Sequence, residues 1–153
     1  MSPGSHSGHV PEQCAAWLEK ELARRPGVPT LVFMHHPPFV TGMGAMDEPY
    51  ENVDRLRGIL EKAPWVRLCC GHMHRPIFTQ WGGVMALTAP AASMQIDLDL
   101  SPEGGDTFRM EMPGYMLHHW DGSHLNSHVC QIPADVDFSG PHPFADSVNP
   151  VED

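Results

Sequence analysis

The sequence predicts an α/β fold, and three observations carry that expectation. Two short apolar runs, "PTLVFM" at 29–34 and "WVRLCC" at 65–70, are continuous rather than alternating. Such runs suit parallel strands covered on both faces. Each run follows a stretch of helical periodicity, so the order is helix, strand, helix, strand. After residue 75 the pattern switches to alternating strands separated by Gly-Gly and Asp-Gly turns, which adds antiparallel hairpins.

Residues 1 to 9 read as loop. "VPEQCAAWLEKELARR" predicts a helix over 11–25, with Pro11 near the first turn. Glu12 stands at its positive end, and Arg24 and Arg25 at its negative end. The expected apolar face is Cys14, Trp17, Leu18 and Leu22, and Pro26 and Gly27 end the helix. "TGMGAM" is loop. A second helix is expected over 48–62, capped by Asp47 or Glu48, with Tyr50, Val53, Leu56, Ile59 and Leu60 inward. "IFTQW" and "VMALT" flank Gly82 and Gly83 as a hairpin. "MQIDLDL" and "TFRMEM" alternate as strands, and "YMLHHW" pairs with "SHLNSHVCQI" around Asp121 and Gly122. From Pro133 onward the chain is acidic, proline-rich and without period, which reads as an irregular tail. No internal repeat is visible.

A length of 153 residues fits one domain, and 41% apolar residues can fill its core. No run approaches the ~18 apolar residues of a membrane span. The N-terminal "MSPGSHSGHVPEQ" is polar and has no basic residue, unlike a signal or transit peptide, so a cytoplasmic location is expected. Its four cysteines form no CxxC, which fits reduced thiols rather than a disulfide framework. A net charge of −10 argues against nucleic acid or an acidic membrane as partner. Eleven histidines stand out, because imidazole is the commonest metal ligand.

Four of these histidines are placed alike. "LVFM" runs into His35 and His36, followed by Pro37 and Pro38, and "VRLCC" runs through Gly71 into His72 and His74. Both pairs end expected parallel strands, the edge where open α/β sheets bind ligands. Prolines stiffen the first loop, and Gly71 permits a sharp turn in the second. A single HH or H-x-H is commonly strand-end polarity, whereas two pairs on consecutive strands point to a metal site. His118, His119, His124 and His128 flank a hairpin turn and read as a solvated face. His6 and His9 read as loop polarity. Met85, Met94, Met110, Met112 and Met116 read as core filler, and Cys69 and Cys70 as buried small apolar residues.

"LVFMHHPPF" followed by "CGHMH" resembles the two C-terminal motifs of the calcineurin-like metallophosphoesterases. The nearer likeness is to class III cyclic-nucleotide phosphodiesterases and bacterial glycerophosphodiesterases. "AAWLEKELA", "MDEPYEN" and "TAP" are similar as well, so the resemblance covers about residues 3–100 well and the later hairpins loosely. It implies the C-terminal half of a four-layer α/β/β/α sandwich, with residues 1–132 an incomplete metallophosphoesterase domain and 133–153 the acidic tail. It also implies two metal ions (Fe, Mn, Zn or Co) and hydrolysis of a small phosphodiester by a bridging hydroxide. Carried over by motif, His35 and His72 bind one ion and His74 the other, with His36 near the site but not a ligand.

The family's Asp-x-His, its Gly-Asp with the bridging aspartate, and its Gly-Asn-His do not occur in their places here. Gly-Asp appears only in "GGDTF", between late strands. Weak or partial metal binding and no catalysis by this chain alone are the expectation. Three readings stand. The chain is part of a phosphodiesterase whose N-terminal half lies outside this sequence; or it is a non-catalytic metal-binding or oligomerisation module derived from one; or it is an unrelated His-rich fold. The first two leave an apolar sheet face in need of a partner, either a second copy or the missing half.

Overall fold

In the computed structural model, which describes residues 8–44, 46–48 and 50–143, the two apolar runs lie side by side as parallel strands. The elements in order are β1 (Gly8–His9), α1 (Glu12–Arg24), β2 (Thr30–Met34), β3 (Tyr50–Glu51), α2 (Val53–Leu60), β4 (Val66–Cys70), β5 (Ile77–Trp81) and β6 (Val84–Thr88). They continue as β7 (Gln95–Ile96), β8 (Thr107–Arg109), β9 (Gly114–Trp120), β10 (Leu125–Gln131) and β11 (His142–Pro143). The fold is mixed α/β with few helices and several sheets.

The main sheet has the order β2-β4-β6-β5, with β2, β4 and β6 parallel and β5 antiparallel. Helices α1 and α2 cover one face. There Leu22, Leu56, Ile59 and Leu60 meet Val66, Leu68, Cys70, Val84 and Ala86 in one apolar cluster. Leu60, Leu68 and Leu87 are fully buried, and each such side chain stabilises the fold by about 1.5–3 kcal/mol relative to exposure. The β5–β6 hairpin turns on Gly82 and Gly83 at φ 59° and 73°. Two consecutive positive φ values are what the tight Gly-Gly turn requires.

The other face of the sheet is covered differently from expectation. The β9–β10 hairpin lies over it: Arg67 donates to Ser127 Oγ, and His118 Nε2 lies 3.7 Å from Cys69 Sγ. His118, expected on a solvated face, therefore points inward. At the edge of the sheet the cover is thin, with the His118 ring standing edge-on to Phe33 at 6.3 Å between centroids. β2 is that edge, and Phe33 on it is 69% exposed, so "TLVFM" is not covered on both faces. Met85, taken from its apolar pattern as core, is 46% exposed on the same sheet.

Helix α1 keeps its expected position but not its expected face. Ala15 and Leu22 are buried with Leu18 packed beside them, whereas Cys14 is exposed and Trp17 is 63% exposed. Helix α2 is shorter than the 48–62 span. Tyr50 and Glu51 instead form β3, paired parallel with Gly8 and His9. Gly8 makes this pairing fit, since a Cβ there would strike the Tyr50 ring. Asn52 at φ 59° then separates β3 from α2. Asp47 caps no helix. Its carboxylate accepts from Thr41 N, Thr41 Oγ1 and Gly42 N, each at 2.8 Å, and closes the loop after β2.

The alternating runs after residue 94 are shorter than their pattern, as β7 and β8 keep only two and three residues. They join β11 in a separate sheet of order β11-β8-β7. No helix among the described residues is long and apolar enough to cross a membrane.

Candidate metal centre

Strands β2 and β4 pair in parallel with Met34 opposite Cys70, so both end at the same edge of the sheet. The chain leaves each strand directly into a histidine-bearing loop. Gly71 N donates to His35 O at 2.8 Å, which ties the two loops together. Met73 N donates to Gly71 O at 2.7 Å, forming a tight turn around His72. His72 and His74 have φ 64° and 49°, a left-handed conformation that histidine adopts more often than most residues. Between them Met73 is fully buried with Met43 and Ile96, and anchors the loop from beneath.

This arrangement brings His35, His36 and His72 together. One ligand nitrogen from each lies within 4.8 Å of the others. Ring centroids are 4.9 Å apart for His35 and His36, 5.6 Å for His35 and His72, and 4.2 Å for His36 and His72. His36, which the resemblance places beside the ligands, stands inside the cluster. His74 is not part of this group: its Nδ1 lies 3.2 Å from Met94 O. A carbonyl only accepts, so this hydrogen bond puts the proton on Nδ1 and leaves a lone pair on Nε2. In the same way His72 Nε2 lies 3.2 Å from Met46 O, leaving the lone pair on Nδ1.

One carboxylate joins the cluster that the sequence gave no reason to place there. Glu48 Oε2 lies 3.0 Å from His36 Nε2, an ion-pair distance outside hydrogen-bond geometry. His36 is 6% exposed, so this contact is sheltered from water. "MDEP" reads as a helix start, and only the loop closed by Asp47 turns Glu48 back towards the histidines.

The electrostatics favour neutral rings. Burial and then the charge of His72 hold the pKa of His35 below its ordinary value, with Glu48 opposing. His36 is lowered by burial and His72 against the pull of Glu48. Rings that resist a proton at neutral pH offer lone pairs, and that is the form a metal ion takes. Three imidazoles within 4.8 Å fit one ion at metal–nitrogen distances of about 2.0–2.1 Å after a small closure. The remaining histidines lie apart. His9 is 3.4 Å from Glu51, His124 is 3.6 Å from Asp121, and His6 lies outside the described residues. Cys69 and Cys70 are buried and take no part in the cluster.

No protein-family model matches the chain. Several characterised or curated proteins do. A probable glycerophosphodiester phosphodiesterase, GpdQ, of Arcobacter nitrofigilis is 37% identical over 145 residues, which is 92% of this chain and 52% of that protein. The glycerophosphodiester phosphodiesterase GpdQ of Enterobacter lignolyticus is 35% identical over 78% of this chain and 43% of its own length. The 3',5'-cyclic adenosine monophosphate phosphodiesterase CpdA of Escherichia coli K12 is 34% identical over 60% of this chain and 34% of its length. Among solved structures, vacuolar protein sorting 29 from Cryptosporidium parvum aligns with 68% of this chain and 52% of its own at 14% identity, with a TM-score of 0.27 that is too low to show a shared fold. The chain spans about half, or less, of the length of these curated relatives. The resemblance carried by "MHHPP" and "GHMH" is thereby borne out, and the chain is a homologue of the glycerophosphodiester and cyclic-nucleotide phosphodiesterases among the calcineurin-like metallophosphoesterases.

Proposed function

We propose that the chain is the ligand-bearing C-terminal portion of a metal-dependent phosphodiesterase acting on a small phosphodiester of the cyclic-nucleotide or glycerophosphodiester type. The observation that supports this best is the convergence of His35, His36 and His72 at the shared end of two parallel strands, in a chain 37% identical to a named phosphodiesterase. In this reading His35 and His72 hold one ion and His74, through its free Nε2, the other. A dinuclear centre supplies charge neutralisation at the phosphoryl oxygens and a hydroxide nucleophile at neutral pH. His36 helps to position the site, with Glu48 Oε2 3.0 Å from its Nε2.

The proposed complete fold is an α/β/β/α sandwich. α1 and α2 form one outer layer, and the sheet face carrying Phe33 and Met85 meets a second sheet. The β9–β10 hairpin already lies on that face; the rest of the second sheet belongs to the complementary half of the enzyme, and with it come the carboxylate and asparagine ligands. A second reading, a metal-binding or oligomerisation module without catalysis, draws on one fact: among the described residues the carboxylate of Glu48 touches only His36 of the cluster and is not a fourth member of the group that lies within 4.8 Å.

Metal titration with turnover tests both readings. The purified chain binds Mn²⁺ or Zn²⁺ through the cluster, and His72→Ala abolishes that binding. With bis(p-nitrophenyl) phosphate it shows negligible turnover alone. Turnover appears when the N-terminal half of the Arcobacter relative is added, and is lost again with His72→Ala. Metal binding indifferent to His35→Ala and His72→Ala sinks the metal-centre reading. Robust turnover by the chain alone, abolished by His72→Ala, overturns the partial-site reading. Binding without any complementation favours the module.

A further inference from the structure

We infer that Cys69 and His118 form a second metal site, separate from the histidine cluster, selective for a soft or borderline ion such as Zn²⁺, Cd²⁺ or Cu⁺. The two residues face each other across the seam between the main sheet and the β9–β10 hairpin, 49 residues apart in sequence. They sit in the wall of an open cleft of about 700 Å³ that also reaches Met34, Met116 and His35.

Their separation carries the inference. Sγ of Cys69 and Nε2 of His118 are 3.7 Å apart. An ion with a metal–sulfur bond of ~2.3 Å and a metal–nitrogen bond of ~2.05 Å at a tetrahedral angle holds its two ligands about 3.6 Å apart. The pair is therefore set for a shared ion with almost no movement. Thiolate with imidazole is a soft donor set, which Mg²⁺ and Ca²⁺ do not choose and Zn²⁺, Cd²⁺ and Cu⁺ do. The cleft side is open, so solvent or the thioether of Met116 can complete the coordination.

The surroundings support the same assignment. His118 Nδ1 lies 2.6 Å from Ser127 Oγ, and Arg67 donates to that same oxygen. With Nδ1 as the proton donor, Ser127 Oγ accepts both bonds on its two lone pairs, and Nε2 is left with its lone pair towards Cys69. Metal-bound histidines are held in this way through their other nitrogen. Burial, and then Arg67, hold His118 below its ordinary pKa, so the ring is neutral. Burial pushes the Cys69 thiol up to about 11, against the lowering effect of Arg67, so it stays protonated until an ion arrives. On binding, the S–H bond breaks, the S–metal bond forms and the proton leaves to solvent, so uptake strengthens as pH rises.

Cobalt and cadmium titrations of the whole chain test this, in a Cys14→Ser/Cys130→Ser background that removes the less buried thiols. A sulfur-to-metal charge-transfer band saturating at one equivalent is expected, because the histidine cluster has no sulfur and cannot produce it. The band survives His72→Ala, disappears in Cys69→Ser, and needs about tenfold more metal in Ser127→Ala. His118→Gln, with the thiol intact, weakens binding at least as much and serves if Cys69→Ser does not fold. Absence of the band, or its survival in both Cys69→Ser and His118→Gln, reduces the pair to a thiol–imidazole hydrogen bond and overturns the inference.

Discussion

Gly71 holds His35 in two ways: it donates its N–H to the His35 carbonyl at 2.8 Å, and its missing side chain makes room for the His35 ring. A Cβ at Gly71 would sit 3.3 Å from His35 Nδ1. Gly71→Ala therefore pushes the imidazole by a few tenths of an ångström. Supporting positions around metal ligands typically matter by about 10–100-fold in affinity, and the lower end is expected here, with little loss of fold. Calorimetric Mn²⁺ titration checks it. Unchanged affinity with an unchanged melting temperature shows that the His35 ring has room to spare.

Asp47 acts on the same site from a distance. Its carboxylate holds Thr41 and Gly42 through three bonds of 2.8 Å, and its neighbours Met46 and Glu48 contact His72 and His36. Asp47→Ala leaves those donors without a partner, at a cost of about 1–3 kcal/mol. It also loosens the segment that orients two of the three clustered histidines. Lower stability in urea together with weaker metal binding is the expected result. Loss of stability alone confines Asp47 to the loop.

Acid should destabilise the metal-free chain. His35, His36 and His118 all have folded pKa values below the ordinary 6.5, chiefly through burial. Between those values and 6.5 the unfolded chain binds more protons than the folded one, so stability falls as pH falls through that window. Above 6.5 both states are neutral at these rings and the effect vanishes. Urea midpoints measured from pH 8 to pH 5 are expected to drop below about pH 6.5, and the drop should shrink in His118→Gln. Flat midpoints over that range show that the rings are solvated when folded.

Much of this was legible in the sequence, for physical reasons that differ between elements. Continuous apolar runs carry their own meaning, so β2 and β4 stand where "TLVFM" and "VRLCC" do. Gly82-Gly83 and Asp121-Gly122 mark hairpins because positive φ suits glycine. The start of α2 was hidden, because Tyr50 and Glu51 pair with Gly8 and His9, some forty residues away in sequence. The face of α1 was misjudged because size was read as burial: Ala15 is buried and Trp17 is not. At the site, His35, His36 and His72 could be picked out because they end the strands. Glu48 and the Cys69–His118 pair could not, since both contacts depend on loops and a hairpin folding back over the sheet.

The open edge of β2 leads to the last prediction. Among the described residues β2 pairs only with β4, so its other side presents N–H and C=O groups with no strand partner there. Edge strands are ordinarily protected by lysine, proline or a bulge, yet Thr30–Met34 contains no charged residue and no proline. Phe33 on this strand is 69% exposed, and Trp17 on the adjoining helix is 63% exposed. Burying one such aromatic side chain fully is worth about 1.5–3 kcal/mol, and strand pairing adds backbone hydrogen bonds to that. Two copies meeting at β2 satisfy both through a two-fold axis, the commonest closed symmetry. The chain alone should therefore self-associate in sedimentation velocity as concentration rises. Phe33→Lys should shift it towards monomer while leaving the melting temperature at low concentration nearly unchanged, because the side chain stands outside the core. A compact monomer at high concentration that binds no apolar dye would show that the chain covers this surface by itself, and the need for a partner at β2 would then be withdrawn.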